Sequence, residues 1–313
     1  MPKKVLTEKR AARRAAFRYF SISLLISLAV LGSLTALALR TLGAASPGQS
    51  SVPSASADPF YLPQEEDNVN LLLAGSRGDG TAPRFYTLLR LDATGGRIPV
   101  VSFPPQTVLS LKGAPVTLAE AWARGGARSA SDALSEGLGI TVHRYALYTR
   151  ESLISAIDRV GAMEFSLDYS LDHSDGEGKI SLEKGRQLVD GVKFYDLMRC
   201  PAYPGGEKTR CVMSSRLFAA YANQKLSTVL SSQADFVFEA IVNTVETDLS
   251  AADYQARKGA LIFLAKLGGS PATDISAEGV WNASGDSYGL TDHSAETLRA
   301  VFGGTDPPEP PEE

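Results

Sequence analysis

The chain has little cysteine, histidine or tryptophan: two, three and two residues among 313. Two cysteines are too few for a disulfide-stapled miniprotein or a four-cysteine zinc site. His143, His173 and His293 show no metal-ligand spacing. No G-x-S-x-G elbow is present, so a serine hydrolase has no support. Gly75, Gly78 and Gly80 do not reproduce a dinucleotide fingerprint, and no Walker lysine follows them. Basic charge is also scarce past the first eighteen residues. Those hold seven basic side chains (Lys3, Lys4, Lys9, Arg10, Arg13, Arg14, Arg18) and one acid, Glu8. Taking them from the 31 basic and 35 acidic side chains of the whole chain leaves 24 against 34, a net of about −10. Phosphate-backbone binding needs a basic face, so an acidic body argues against nucleic acid as a partner.

What is present is a membrane address. Tyr19 to Leu39 is a run of twenty-one residues without a charge. At 1.5 Å per residue it spans roughly the 30 Å of a bilayer's hydrocarbon layer. The basic residues precede it, which puts residues 1–18 in the cytoplasm as a basic tail and everything after Arg40 outside. A cleaved signal peptide is the rival, since Leu42-Gly-Ala-Ala45 offers small residues, but signal cores are usually only about 7–15 residues long. The run 19–39 therefore reads as one transmembrane helix, giving a single-pass protein of the cell membrane. Residues 40–64 read as an extracellular linker, small, polar and Pro-bearing over 43–58. Residues 304–313, ending in DPPEPPEE, read as a disordered acidic tail. The folded part is 65–303, a single domain with no internal repeat.

Val69 to Ala74 is a short apolar run stopping at Gly75, as a buried strand does. Phe85 to Leu91 and Ile98 to Phe103 read as two more strands, with Asp92 to Gly96 as a hairpin turn between them. Thr117-Leu-Ala-Glu120 has capping-box spacing and opens a helix through Trp122. Tyr145 to Tyr148 predicts a strand, and Leu153, Ile154, Ile157 and Val160 mark one face of a helix ending at Gly161. Met163, Phe165 and Leu167 alternate as in a strand. Beyond them the chain reads as mostly helical, with one helix starting at Ser250-Ala-Ala-Asp253. Strands interleaved with helices give an α/β layered domain.

The stretch Asp172 to Glu183 suggests a calcium loop, but its glycine and ninth residue fall out of register, so it reads as a solvated acidic loop. Arg77-Gly78-Asp79 reads as a turn after a strand, and Asn282-Ala-Ser284 is a glycosylation sequon by pattern only. More informative are four arginines after strand ends or near helix starts: Arg77, Arg84, Arg199 and Arg210. Guanidinium forks suit phosphate or pyrophosphate, and converging ones suggest a polyanion site. On spacing alone, four ordinary surface arginines remain the simpler reading.

Six stretches, in order, carry a resemblance: 70–79 (NLLLAGSRGD), 84–107 (RFYTLLRLDATGGRIPVVSFPPQT), 121–126 (AWARGG), 130–168, 185–199 (GRQLVDGVKFYDLMR) and 245–254 (VETDLSAADY). Together they resemble the LytR-CpsA-Psr (LCP) family of bacterial envelope proteins. The resemblance implies a three-layer α/β/α domain with a mixed central sheet and a deep apolar pocket for a polyprenyl tail. It also implies transfer of a glycopolymer from a polyprenyl-pyrophosphate carrier onto peptidoglycan. In the family, arginines hold the pyrophosphate, and aspartates with magnesium serve the phosphoryl transfer.

The chain departs from that pattern at its centre. The family's Arg-Ser-Asp-Thr reads Arg84-Phe85-Tyr86-Thr87, and its Pro-Arg-Asp-Thr reads Pro104-Pro105-Gln106-Thr107. A second arginine is replaced near Pro201, and an Arg-Gln pair reads Met213-Ser214. A tyrosine with a pKa near 10 is no substitute for a carboxylate as a magnesium ligand. Tyr86 and Gln106 thus stand at the two aspartate positions, while Arg84, Arg199 and Arg210 survive, with Arg77 a looser match. No cofactor is expected, and Asp79 is a nearby acid on which a compensating site would draw. Cys200 and Cys211 follow two of the arginines; outside the membrane a bridge closing about twelve residues would be worth about 3 kcal/mol. The expectation is an LCP-like pseudoenzyme that binds lipid-linked glycan or assists active LCP relatives. The alternatives are an active ligase with substituted ligands and a non-catalytic envelope interaction module.

Overall fold

The computed structural model describes residues 61–78 and 81–304. The expected cytoplasmic tail, transmembrane helix, most of the linker, Asp79 and the acidic tail lie outside the described residues. Among the described residues no helix is long and apolar enough to cross a membrane.

Six strands form the central sheet: β1 (Val69–Gly75), β2 (Phe85–Leu91), β3 (Ile98–Phe103), β6 (Arg144–Tyr148), β11 (Glu246–Thr247) and β12 (Ala272–Ile275). Their order is β11-β6-β1-β2-β3-β12. β1 runs parallel to β6 and β3 to β12, whereas β1–β2, β2–β3 and β6–β11 are antiparallel, so the sheet is mixed. The remaining strands pair as hairpins or ribbons: β4 (Val108–Leu111) with β5 (Ala114–Thr117), β7 (Met163–Leu167) with β10 (Gly185–Val189), β8 (Leu171–Asp175) with β9 (Gly178–Leu182), and β13 (Gly279–Trp281) with β14 (Tyr288–Leu290). Seven α-helices complete the described domain: α1 (Leu118–Leu138), α2 (Arg150–Val160), α3 (Gly191–Arg199), α4 (Gly206–Lys225), α5 (Ala234–Val242), α6 (Ala251–Leu267) and α7 (Asp292–Val301).

Strand alternation sorts the core into two sides. Leu72, Tyr86, Leu88 and Val101 pack with Ala130, Leu134 and Leu138 of α1 and Leu298 of α7. Phe85, Tyr148 and Leu153 pack with Phe194, Met213 and Leu217 of α3 and α4. Farther along, Leu91, Ile98 and Val100 meet Ala219, Ala260 and Leu264 of α4 and α6. The helices thus cover both faces of the sheet, the expected α/β/α layering.

Local chemistry explains the helix ends. Thr117 and Glu120 complete the expected capping box, but α1 runs far past Trp122, kinked where Gly126 takes φ 64°. Ser250 and Asp253 likewise cap α6 reciprocally, and α2 stops at Gly161 with φ 110°. The register also sets where a ligand can sit. Gly75, at the carboxyl end of β1, lies beside both Phe85 and Tyr148. The carboxyl ends of the parallel pair β1 and β6 thus meet the start of β2, an edge at which open α/β sheets accept ligands.

Candidate functional site

A cleft of about 480 Å³ opens at that edge. Arg84, Arg199, Arg210, Gln106, Glu207 and Trp281 line it, with Phe85 and three prolines. Arg84 precedes β2, Gln106 follows β3, Arg199 ends α3 and Arg210 sits in the first turns of α4. Three of the four sequence-predicted arginines therefore converge. Arg77 stands to one side, half exposed, and joins the group only through Glu177 at 3.1 Å.

Each arginine has an internal carboxylate partner. The Arg199 side chain is only 2% exposed. Its Nη1 donates to both Asp175 oxygens at 2.8 and 2.9 Å, and its Nε to Asp196 at 2.8 Å. Burial pulls the Arg199 pKa down, but these carboxylates more than reverse it. Arg210 donates from Nε to Glu207 at 2.7 Å, pairs with its second oxygen through Nη2, and reaches the Met198 carbonyl at 3.1 Å. Its guanidinium lies 4.9 Å from the centre of the Phe85 ring, and that of Arg84 lies 5.8 Å from the same ring. Phe85 is thus a shared cation–π platform, a contact worth roughly 0.5–2 kcal/mol. Arg84 donates to Glu177 at 2.7 Å, and Tyr195 Oη donates to the other Glu177 oxygen at 2.9 Å. Four arginines face four carboxylates, Asp175, Glu177, Asp196 and Glu207.

Two sequence readings need correction here. The stretch 172–183 is not a solvated loop: it forms β8, β9 and their turn, which delivers Asp175 and Glu177 to the arginines. Its acids are charge partners, and the turn is shaped by the Glu177 N–H donating to Asp175 at 2.9 Å. Cys200 and Cys211 are two separate buried thiols, not a bridge. Cys200 is fully buried in the core cluster that holds Met198 and Tyr203, and Cys211 is buried in α4 one residue after Arg210. Helices α3 and α4 are joined by the Arg210–Met198 hydrogen bond and by Phe194 packing edge-on against Phe218 and Tyr221.

Tyr86 and Gln106, the residues expected at the family's aspartate positions, part company. Tyr86 is fully buried among the α1-side residues, edge-on to Trp122 with ring centres 6.4 Å apart, and does not line the cleft. Its hydroxyl has no hydrogen-bond partner among the described residues, and burial pushes its pKa up. Gln106 does line the cleft, with a buried, unpartnered Oε1. A neutral phenol inside the core and one carboxamide do not suit magnesium, which prefers carboxylate oxygens in octahedral array. Among the described residues no three His, Cys, Asp or Glu side chains are grouped to hold a metal ion.

Behind the arginines the sheet and α5 enclose apolar space. Two cavities of about 210 and 350 Å³ share Leu71, Phe238, Ile241 and Leu249 as walls. Tyr148 lines the smaller one and belongs to the same core cluster as Phe85, which lines the cleft. Gly75 makes that position possible, because a Cβ there would lie 2.5 Å from the Tyr148 ring. Sequence reasoning missed Glu207, Glu177 and Trp281. Only Glu207 carried a local signal, its i,i+3 spacing from Arg210.

No curated protein matches the chain at a significant level. Solved structures do. A Eubacterium siraeum protein described as a transcription regulator superposes with a TM-score of 0.70 at 19% identity, covering 83% of this chain and 98% of that one. B. subtilis TagV gives 0.61 at 16%, covering 77% and 100%. TagT bound to LIIa-WTA gives 0.60 at 15%, covering 82% and 98%. At these identities the likeness is one of fold. The sequence itself supplies the kinship: over residues 42–284 it matches the LytR_cpsA_psr family, and the chain is a member of that LytR-CpsA-Psr family.

Proposed function

We propose that this chain is a membrane-anchored cell-envelope protein that binds a polyprenyl-pyrophosphate-linked glycan and has lost most of the phosphotransferase chemistry of its family. One observation carries the reading: an arginine cleft lined by Phe85 and an apolar cavity lined by Tyr148 lie to either side of Gly75, a layout that suits one amphipathic ligand. The fold shared with TagT, whose structure holds LIIa-WTA, supports it. The uncharged run 19–39 with its basic flank supports an anchor that leaves the domain outside the cell.

In this reading Arg84, Arg199 and Arg210 hold phosphoryl oxygens by charge-assisted hydrogen bonds. Asp175, Asp196 and Glu207 keep the guanidinium planes oriented. The leucines and Phe238 of the cavity take the prenyl tail. Phosphoryl transfer depends on charge neutralisation and a positioned nucleophile. Gln106 supplies neither negative charge nor a base, and Tyr86 is turned away. Capture without transfer follows, and such a protein would assist catalytically complete relatives. The specific observation behind a second reading, an active ligase with substituted ligands, is Glu207, a carboxylate that lines the cleft.

The test is binding of polyprenyl pyrophosphate to the full chain in detergent. Arg199→Ala and the more exposed Arg84→Ala should each weaken it at least tenfold, thermal unfolding serving to check that the variants fold. Unchanged affinity in both variants would overturn the assignment.

A further inference from the structure

Trp281 has no part in holding an anion, yet it lines the same cleft as the arginines. It ends β13, where it stands opposite Tyr288 of β14, with the ring centres 5.0 Å apart. Tyr288 is almost fully buried and donates its hydroxyl to the Ala277 carbonyl at 2.8 Å. Its N–H donates to the Gln106 carbonyl at 2.9 Å, and Thr107 makes a bridge to it as well. Tyr288 therefore joins the Trp281 hairpin to the loop bearing Gln106, and both residues reach the cleft from one supported unit. Gln106 Oε1 is buried there with no hydrogen-bond partner among the described residues. An unpaired buried acceptor is costly, and a ligand hydroxyl or N–H would recover that cost. The cleft's 480 Å³ lies within the range of about 300–1,000 Å³ that holds drug-sized ligands, more than a bare diphosphate needs.

We propose that Trp281 and Gln106 form a sugar subsite beside the arginines, reading the glycosyl unit attached to the phosphate. The weakly positive C–H face of a pyranose ring lies on the electron-rich indole face. A sugar hydroxyl or acetamido N–H donates to Gln106 Oε1. Pro105 and Pro201 complete an apolar wall around the ring. The proposal rests on the lipid-linked-glycan reading above and adds to it the part of the ligand that the cleft distinguishes.

The experiment compares two probes on the full chain in detergent by calorimetry: a polyprenyl pyrophosphate, and the same lipid carrying one N-acetylhexosamine on its terminal phosphate. The wild-type chain should bind the glycosylated probe roughly tenfold more tightly. Trp281→Ala should abolish that preference, weakening the glycosylated probe far more than the bare one. Gln106→Leu, which keeps the size and removes the acceptor, should lower the preference in the same selective way. Equal affinity of the wild-type chain for the two probes, or a preference that survives both variants, overturns the subsite and leaves the headgroup reading intact. Equal loss for both probes in Trp281→Ala makes the tryptophan structural and overturns it too. Failure of the wild-type chain to bind either probe overturns both readings together.

Discussion

Glu177 occupies a position that a bound phosphate would contest, and Glu177→Gln is the substitution that measures the contest. Its carboxylate lies 2.7 Å from Arg84 and 3.1 Å from Arg77. Burial raises its pKa, but the Tyr195 hydrogen bond and the two arginine charges outweigh this and hold it below the usual carboxylate range. It is thus ionised at neutral pH. Unit charges 4 Å apart interact by about 4 kcal/mol at an effective dielectric of 20, but exposed pairs net only about 0–1 kcal/mol. Arg84 and Arg77 are 36% and 52% exposed, so the lower figure applies to each contact. An incoming phosphate that displaces the carboxylate forfeits both contacts, up to about 2 kcal/mol in all. The carboxamide introduced by Glu177→Gln would keep an acceptor for Tyr195 without the charge. Affinity for polyprenyl pyrophosphate should therefore rise, by up to about 30-fold, at a cost of up to about 2 kcal/mol of stability, or about 4–8 °C in Tm. Calorimetry and thermal unfolding on the same preparation read both effects. Unchanged or weakened binding would refute the argument and make Glu177 a brace that orients the arginines.

Three further outcomes are expected. Tyr86→Asp restores the family's residue but places a carboxylate in the fully buried α1-side core, so it should cost more than about 4 kcal/mol and confer no turnover; a stable variant that gains metal-dependent activity would contradict this. Ile241→Trp, filling the wall shared by both cavities, should weaken a long polyprenyl pyrophosphate roughly tenfold or more while sparing geranyl pyrophosphate, whereas equal loss for both would place the tail elsewhere. Burial, with Arg257, Arg90 and Arg144, lowers the His143 pKa, and its Nδ1 accepts the Asn70 N–H at 3.0 Å. The native state therefore keeps His143 neutral while the unfolded chain takes up a proton near pH 6.5. Stability should fall as pH drops from about 7.5 to about 5.5, and less so in His143→Gln; identical denaturation curves for wild type and variant would contradict the assignment.

The legible parts of the fold are those written in local pattern. The apolar run Val69 to Ala74, the Asp92–Gly96 turn and the Thr117 and Ser250 capping boxes announce themselves within a few residues. The edge strand β12 does not, because four residues carry too little periodicity and their place is fixed by pairing with β3. The same division holds at the site. Arg84, Arg199 and Arg210 stand out in the sequence and do converge. The acids opposing Arg84 and Arg199 include Glu177 and Asp175, 93 and 24 residues away from the guanidinium each meets, and no spacing rule links them. Tyr86 and Gln106 look equivalent in sequence as replaced aspartates. Strand alternation sends Tyr86 into the core, while the turn after β3 leaves Gln106 in the cleft.

The central claim is capture of a lipid pyrophosphate without its transfer. Native mass spectrometry of the full chain in detergent with polyprenyl pyrophosphate, with and without Mg²⁺, tests it most directly. A one-to-one adduct of intact ligand under both conditions, lost in Arg199→Ala, is the predicted result. Phosphate release that depends on Mg²⁺, or the absence of any adduct, would contradict the account.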